Sequence, residues 1–262
     1  MQYYEMLMSL IFKDYFSEKS EEYREYRPRY PANLFSYLSS ITVNNQRAWD
    51  CATGNGQSAL ALSDYFTEVI ATDASSTQIE NSVKREKIKY RVATAEDSGI
   101  ETNSIDLITV AQALHWFNLN KFINEVNRVL KVGGVIAIWA YNLFSVQDDI
   151  DEIVKRLYNE KLADYWPNER KLVENGYRDI ILPFDEIDAP IFNMSEEWNF
   201  SKLIGYLNTW SAVKIYHKHL GISPLDEVQI EILKLWDHPE KTKKINWPMS
   251  VRIWEKIHNH KK

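Results

Sequence analysis

One cysteine, Cys51, stands in a chain of 262 residues, and so small a number excludes an intrachain disulfide. A reducing compartment, the cytoplasm, is the expectation that follows. Basic residues are not in excess: 31 Lys and Arg against 37 Asp and Glu leave a net charge of −6. No electrostatic footprint for nucleic acid or an anionic membrane is therefore expected. Long apolar runs are also missing, and no stretch approaches the roughly 20 residues of a membrane span. Residues 1–16 carry Glu5, Lys13 and Asp14 without a basic leader or small-residue cleavage site, so no signal peptide is read. Repeats and low-complexity linkers are absent too. The histidines at 217, 219, 238, 258 and 260 show no ligand spacing, and no metal is expected.

What is present is an ordinary globular composition, 45% hydrophobic and 26% charged, with nine Trp and fifteen Tyr. The length fits one domain over 1–262. Within it the pattern suggests N-terminal helices (1–44), a core (45–141), a cap insertion with a late strand (142–245), and a C-terminal strand or helix (246–262). Ser17 or Ser20 suits the start of a helix running through Tyr23 and Tyr26 to Pro28. Pro31 suits the first turn of a second helix with Leu34, Phe35 and Leu38.

From Arg47 strands and helices alternate. Strands are predicted over 47–52, 69–73, 88–92 and 105–111, and the last is apolar nearly throughout, as a strand covered on both faces should be. Helices are predicted over 57–66 and 77–84. A third, through Phe122, Val126 and Leu130, should be stopped by Gly133-Gly134 before a fifth strand at 135–141. Such alternation predicts an α/β fold, a mostly parallel sheet with helices on both faces. Residues 187–194 and 247–253 are candidates for two last strands.

The chemistry concentrates in Asp50-Cys51-Ala52-Thr53-Gly54-Asn55-Gly56-Gln57 and in Asp73. Glycines at 54 and 56 permit close backbone approach to a ligand, and the following helix aims free N–H groups at it. The spacing to Ala59 also matches a loose dinucleotide fingerprint. Asp73 suits ribose hydroxyls with either cofactor. Asp50 separates the two, because a carboxylate repels a pyrophosphate and attracts a cation.

Four motifs in order carry a resemblance over residues 45–141: Asp50–Gly56, Asp73, Ser104-Ile105-Asp106-Leu107-Ile108 through Leu114-His115-Trp116-Phe117, and Arg128-Val129-Leu130-Lys131-Val132-Gly133-Gly134. The chain resembles the class I S-adenosylmethionine-dependent methyltransferases of the type 11 group. Tyr26-Arg27-Pro28-Arg29-Tyr30-Pro31 and Tyr206-Leu207-Asn208-Thr209-Trp210-Ser211 are similar to the small-molecule subgroup that includes fungal trans-aconitate methyltransferases. The sequence departs at Ala52, which replaces a glycine and requires a negative φ. It departs again at Thr94, where many relatives carry an adenine-binding Asp, and at Val132, which replaces a common Pro.

The resemblance implies a Rossmann-like seven-stranded sheet with a helical N-terminal and middle cap, and S-adenosylmethionine as cofactor. It also implies that Asp50, Gly54 and Gly56 hold the methionyl end. Asp73 would take the ribose, Ala95 would lie beside adenine, and Ala111 and Gln112 would lie near the amino group. His115 is the catalytic candidate, as a general base or as a positioning group. Tyr23, Tyr26, Arg27, Trp116 and Trp139 are candidates for the acceptor pocket, and Arg27 and Arg29 for pairing with an anion. The expected partner is a small-molecule acceptor, a carboxylic acid being favoured by the resemblance. A nicotinamide oxidoreductase, an RNA or protein methyltransferase and a silent cofactor-binding protein remain as alternatives.

Overall fold

The computed structural model describes residues 26–257. Tyr23, the helix predicted through it, His258 and His260 lie outside the described residues. Helix α1 (Ala32–Ile41) follows Pro31 and buries Leu34, Phe35 and Leu38. Then come β1 (Arg47–Cys51), α2 (Gln57–Leu62), β2 (Glu68–Asp73), α3 (Ser76–Glu80), β3 (Ile88–Val92) and β4 (Ile105–Ala111). A 3₁₀ turn at Leu114–Trp116 leads into α4 (Leu119–Val129) and β5 (Leu130–Tyr141). The later elements are α5 (Asp148–Arg156), α6 (Arg170–Glu174), β6 (Asp185–Ile187), β7 (Met194–Trp198), α7 (Phe200–Asn208), α8 (Ser211–Leu220), α9 (Leu225–Leu235), β8 (Lys243–Trp247) and β9 (Met249–Glu255).

The main sheet has seven strands in the order β3-β2-β1-β4-β5-β9-β6, with β7 and β8 forming a separate ribbon. Strands β3, β2, β1, β4 and β5 are parallel, while β9 runs antiparallel to both its neighbours. This is the Rossmann-like sheet that the alternation implied. Strand order reverses direction between β1 and β4, so the loops after those two strands flank the crevice where open α/β sheets bind ligands. The edges are unattractive for further pairing: β3 exposes Lys89 and Arg91, and β6 is three residues long.

Several predicted boundaries are corrected: the helices expected over 57–66 and 77–84 end at Leu62 and Glu80, and residues 247–253 fall in two strands, β8 ending at Trp247 and β9 starting at Met249. Gly133-Gly134 do not stop α4; the helix ends at Val129, Leu130 is already extended, and both glycines lie within β5. The cause is a distant lysine. Lys256, 1% exposed, donates from Nζ to the carbonyls of Asn127 at 2.6 Å and Leu130 at 2.9 Å. Those are the orphan acceptors at a helix C-terminus, where a cation is also favoured by the dipole. Residues 187–194 are likewise not one strand, because β6 ends at Ile187 and β7 begins at Met194.

The cap is built around aromatic packing. Trp198 and Trp247 pack with ring centroids 4.7 Å apart, and Tyr206 lies edge-on to Trp198, Trp210 and Trp247. Such pairs add roughly 0.5–1.5 kcal/mol each beyond area burial. Gly205 lets Tyr26 lie on the backbone of α7, since a Cβ there would collide with the Tyr26 ring.

Replacing Lys256 with Met keeps the bulk and strands two carbonyls, so urea unfolding should show a loss of about 1–3 kcal/mol. A change below about 0.5 kcal/mol would refute the capping role.

Candidate active site at the carboxyl ends of the strands

The loop after β1 follows a left-handed backbone path. Ala52, Gly54 and Gly56 have φ of 54°, 56° and 88°. The negative φ expected at Ala52 is therefore wrong. A left-handed alanine costs on the order of 1 kcal/mol and persists only where its surroundings over-determine it. Here they do. The Asp50 carboxylate, 1% exposed, accepts from Thr53 Oγ1 at 2.5 Å and from Thr109 Oγ1 at 2.8 Å. Asp73 accepts from the Gly54 amide at 2.8 Å and from the Ser75 amide at 2.9 Å. One acid thus ties the loop to β4 and the other to the end of β2. A Cβ at Gly54 would meet only Gln78 Oε1, at 4.0 Å, so the cradle over that residue is open. At Gly56 a Cβ would strike the Tyr90 phenol.

Burial is the main influence on Asp50 and pushes its pKa up to about 6, against the opposing effect of the two threonine hydroxyls, with nearby Asp73 adding a smaller upward push. Burial also raises Cys51 well above the usual thiol range.

Ala95 is buried in the core cluster beneath the loop after β3. Next to it, Glu96 accepts from the Asn118 amide at 2.7 Å, which ties that loop to the start of α4. Ala111 ends β4 and is half-buried. Gln112 takes a φ of 55°, donates its amide to Trp139 O at 2.9 Å and donates from Nε2 to Tyr141 O at 2.9 Å.

His115 sits in the 3₁₀ turn, its ring centroid 4.6 Å from that of Trp116. Its Nδ1 lies 2.8 Å from the Tyr177 hydroxyl. Burial raises the Tyr177 phenol well above its usual range, so it keeps its proton and can donate it to Nδ1. The imidazole is then neutral with its proton on Nε2. Burial, with a smaller push from Arg170, lowers the His115 pKa to about 3. A neutral imidazole with its proton on Nε2 can donate a hydrogen bond from that atom.

Arg27 is a clamp inside the cap. It donates to Tyr141 Oη at 3.1 Å and Thr209 O at 3.3 Å, over the Tyr206 ring. Tyr26 packs against the same cluster. Trp139 is corrected: it is fully buried, edge-on to Tyr30 and Phe35, and packs the core instead of facing an open pocket. Gln57 was not singled out from sequence, yet its amide accepts from Tyr30 N and donates to Pro28 O, both at 3.1 Å. Thr109 was also missed, though a threonine in an otherwise apolar strand, in register with Asp50, was a readable signal. Tyr177 has no local signal, being 62 residues from its partner His115.

The strand order and the parallel sheet define a Rossmann-like fold, with two acids flanking the loop after β1. A family model described as a methyltransferase domain matches residues 49–138. A Dictyostelium discoideum protein classed as a methyltransferase is 33% identical over 252 residues, covering 94% of this chain and 96% of the relative. A Saccharomyces cerevisiae protein named for S-adenosylmethionine-dependent methyl transfer is 30% identical over 132 residues, 47% of this chain and 45% of the relative. The solved structure of a protein from Anaeromyxobacter dehalogenans, described as a type II methyltransferase, is 38% identical with a TM-score of 0.83, covering 88% of this chain and 98% of that one. The chain belongs to the class I S-adenosylmethionine-dependent methyltransferases. These relatives support the family and not the narrower likeness to trans-aconitate enzymes.

The lowered His115 pKa has a readable sign. Below about pH 6.5 the unfolded chain takes up a proton that the native imidazole refuses, so stability falls as pH drops from there towards about 3. In NMR titration the His115 ring should stay neutral from about pH 8 to 4. A midpoint near the ordinary value would remove the neutral-donor assignment.

Proposed function

We propose that this chain moves the methyl group of S-adenosylmethionine to a small-molecule acceptor, with a carboxylic acid as the favoured class. The observation that carries the reading is the left-handed loop Ala52–Gly56 braced between two acids, Asp50 beneath it and Asp73 beside it. An open cradle at Gly54 and an acid at each strand end fit such a cofactor. A buried carboxylate that is short of positive charge favours a cationic ligand over a pyrophosphate, which argues against the nicotinamide alternative.

When bound, S-adenosylmethionine supplies an electrophilic methyl on a sulfonium. The chain's own residues bind and orient. Asp73 already accepts two amides, and a carboxylate has roughly four lone-pair sites, so it can also accept from ribose hydroxyls. The Gln112 amide is committed to Trp139, which leaves its carbonyl to receive an ammonium. Ala95 supplies an apolar wall for the adenine. His115 offers Nε2–H to orient the acceptor, and Trp116 packs beside it. Positioning of this kind can supply most of the acceleration of a displacement at a methyl carbon.

A methyl-transfer screen against organic acids, phenols and amines tests the reading, and turnover of an acid is the expected result. Failure of every acceptor class alongside intact cofactor binding would favour a silent binding protein. Asp73→Ala should weaken S-adenosylmethionine binding about tenfold to a hundredfold, the worth of a charged hydrogen bond. Calorimetry showing unchanged affinity would remove Asp73 from the cofactor site.

A further inference from the structure

Arg170 opens α6, the short helix packed against the 3₁₀ turn that carries His115. Its guanidinium carbon lies 5.1 Å from the Trp166 ring centroid and 5.5 Å from that of Tyr158. Nε donates to Tyr158 Oη at 2.7 Å, and that hydroxyl donates to Glu174 at 2.5 Å. Glu174 itself stands 4.0 Å from Nε. The acid and the phenol therefore both occupy the Nε edge. Neither terminal nitrogen of Arg170 makes a hydrogen bond to a described residue, although its side chain is only 25% exposed.

The other half-buried arginines among the described residues behave differently. Arg27, Arg128 and Arg252 each hydrogen-bond a protein oxygen through a terminal nitrogen, and Arg47 brings one to within 3.7 Å of Glu101. Arg170 alone in this group has neither a hydrogen bond nor an ion pair to a described residue at its terminal nitrogens, and its field reaches His115 and Tyr177. An aromatic stack fixes the plane of the guanidinium, and its outer N–H groups form the fork that matches a carboxylate in two parallel bonds. Arg27, the anion partner expected from sequence, is already committed to Tyr141 and Thr209.

We propose that Arg170 is the specificity-determining residue of the acceptor site, receiving a carboxylate of the substrate beside His115. This rests on the reading of the chain as a small-molecule methyltransferase. The Arg170 fork would hold one carboxylate while His115 Nε2–H orients the acceptor group. Tyr158 and Trp166 would wall the pocket, and a dicarboxylic acid or an aromatic acid fits that lining better than a neutral amine or a phenol.

The test uses the full chain loaded with S-adenosylhomocysteine, titrated calorimetrically with succinate, citrate and benzoate and with their methyl esters. At least one acid should bind at least about tenfold more tightly than its ester, the loss expected when a charged hydrogen-bond pair is removed. Arg170→Gln should erase that acid-over-ester preference, and Arg170→Lys should retain part of it. A merely structural arginine would alter both ligands alike. If Arg170→Gln fails to fold, the acid-to-ester ratio in the wild type and in Arg170→Lys still decides. Failure of S-adenosylhomocysteine to bind the wild type would overturn the methyltransferase reading itself. Cofactor binding with no acid preference, or a preference that survives in Arg170→Gln, would overturn the Arg170 assignment alone.

Discussion

The buried carboxylate of Asp50 is the constraint on which the site depends. It sits at the end of a central strand with one hydroxyl on each oxygen, from Thr53 in the turn and Thr109 in the neighbouring strand. Through Thr53 it holds the turn in a left-handed path that alanine at 52 would not choose by itself. Neutral donors do not compensate a fully desolvated charge, and so Asp50 binds its proton more tightly than an ordinary aspartate. Between about pH 4 and 6 the native state holds a proton that the unfolded chain has released. Without a cationic ligand, Asp50 thus opposes folding as pH rises through that window. A cation bound beside Asp50 would reverse that balance, as the proposed cofactor site requires.

Around this centre the chain divides its work. The parallel sheet fixes the ends of β1, β2 and β4, from which the two acids and the His115 turn project. The aromatic cap closes over them, with Arg27 stitching the segment before α1 to Tyr141 and Thr209. Tyr177 joins the halves, because its hydroxyl holds the His115 ring while its carbonyl accepts from Arg252 in β9. The His115 ring is thereby oriented by a residue of the later chain, while burial keeps it neutral.

The core was legible because its signals are local. Strand β4 was read at its observed bounds from a nearly continuous apolar run, and the acids from their strand-end positions. What local pattern cannot carry was missed. The end of α4 is set by Lys256, whose sequence distance from Leu130 is 126 residues, so two glycines were mistaken for the stop. Ala52 was assigned an ordinary backbone since nothing nearby in sequence shows that Asp50 and Asp73 brace the loop from both sides. Trp139 was placed in the pocket as an aromatic near a strand end, yet strand alternation turns it into the core against Phe35. Arg170 and Tyr177 come from the cap, where helix and strand periods are interrupted by short irregular turns.

The most direct measurement is the affinity of wild type and Asp50→Asn for S-adenosylmethionine across pH 5 to 7. If an ionised Asp50 is what the cofactor's positive charge requires, only about a tenth of the wild-type protein is competent at pH 5, and apparent affinity should rise roughly tenfold by pH 7. Asp50→Asn should bind more weakly and show no such rise. A wild-type affinity that is flat with pH, or an Asp50→Asn variant that binds as well as wild type, would contradict the account.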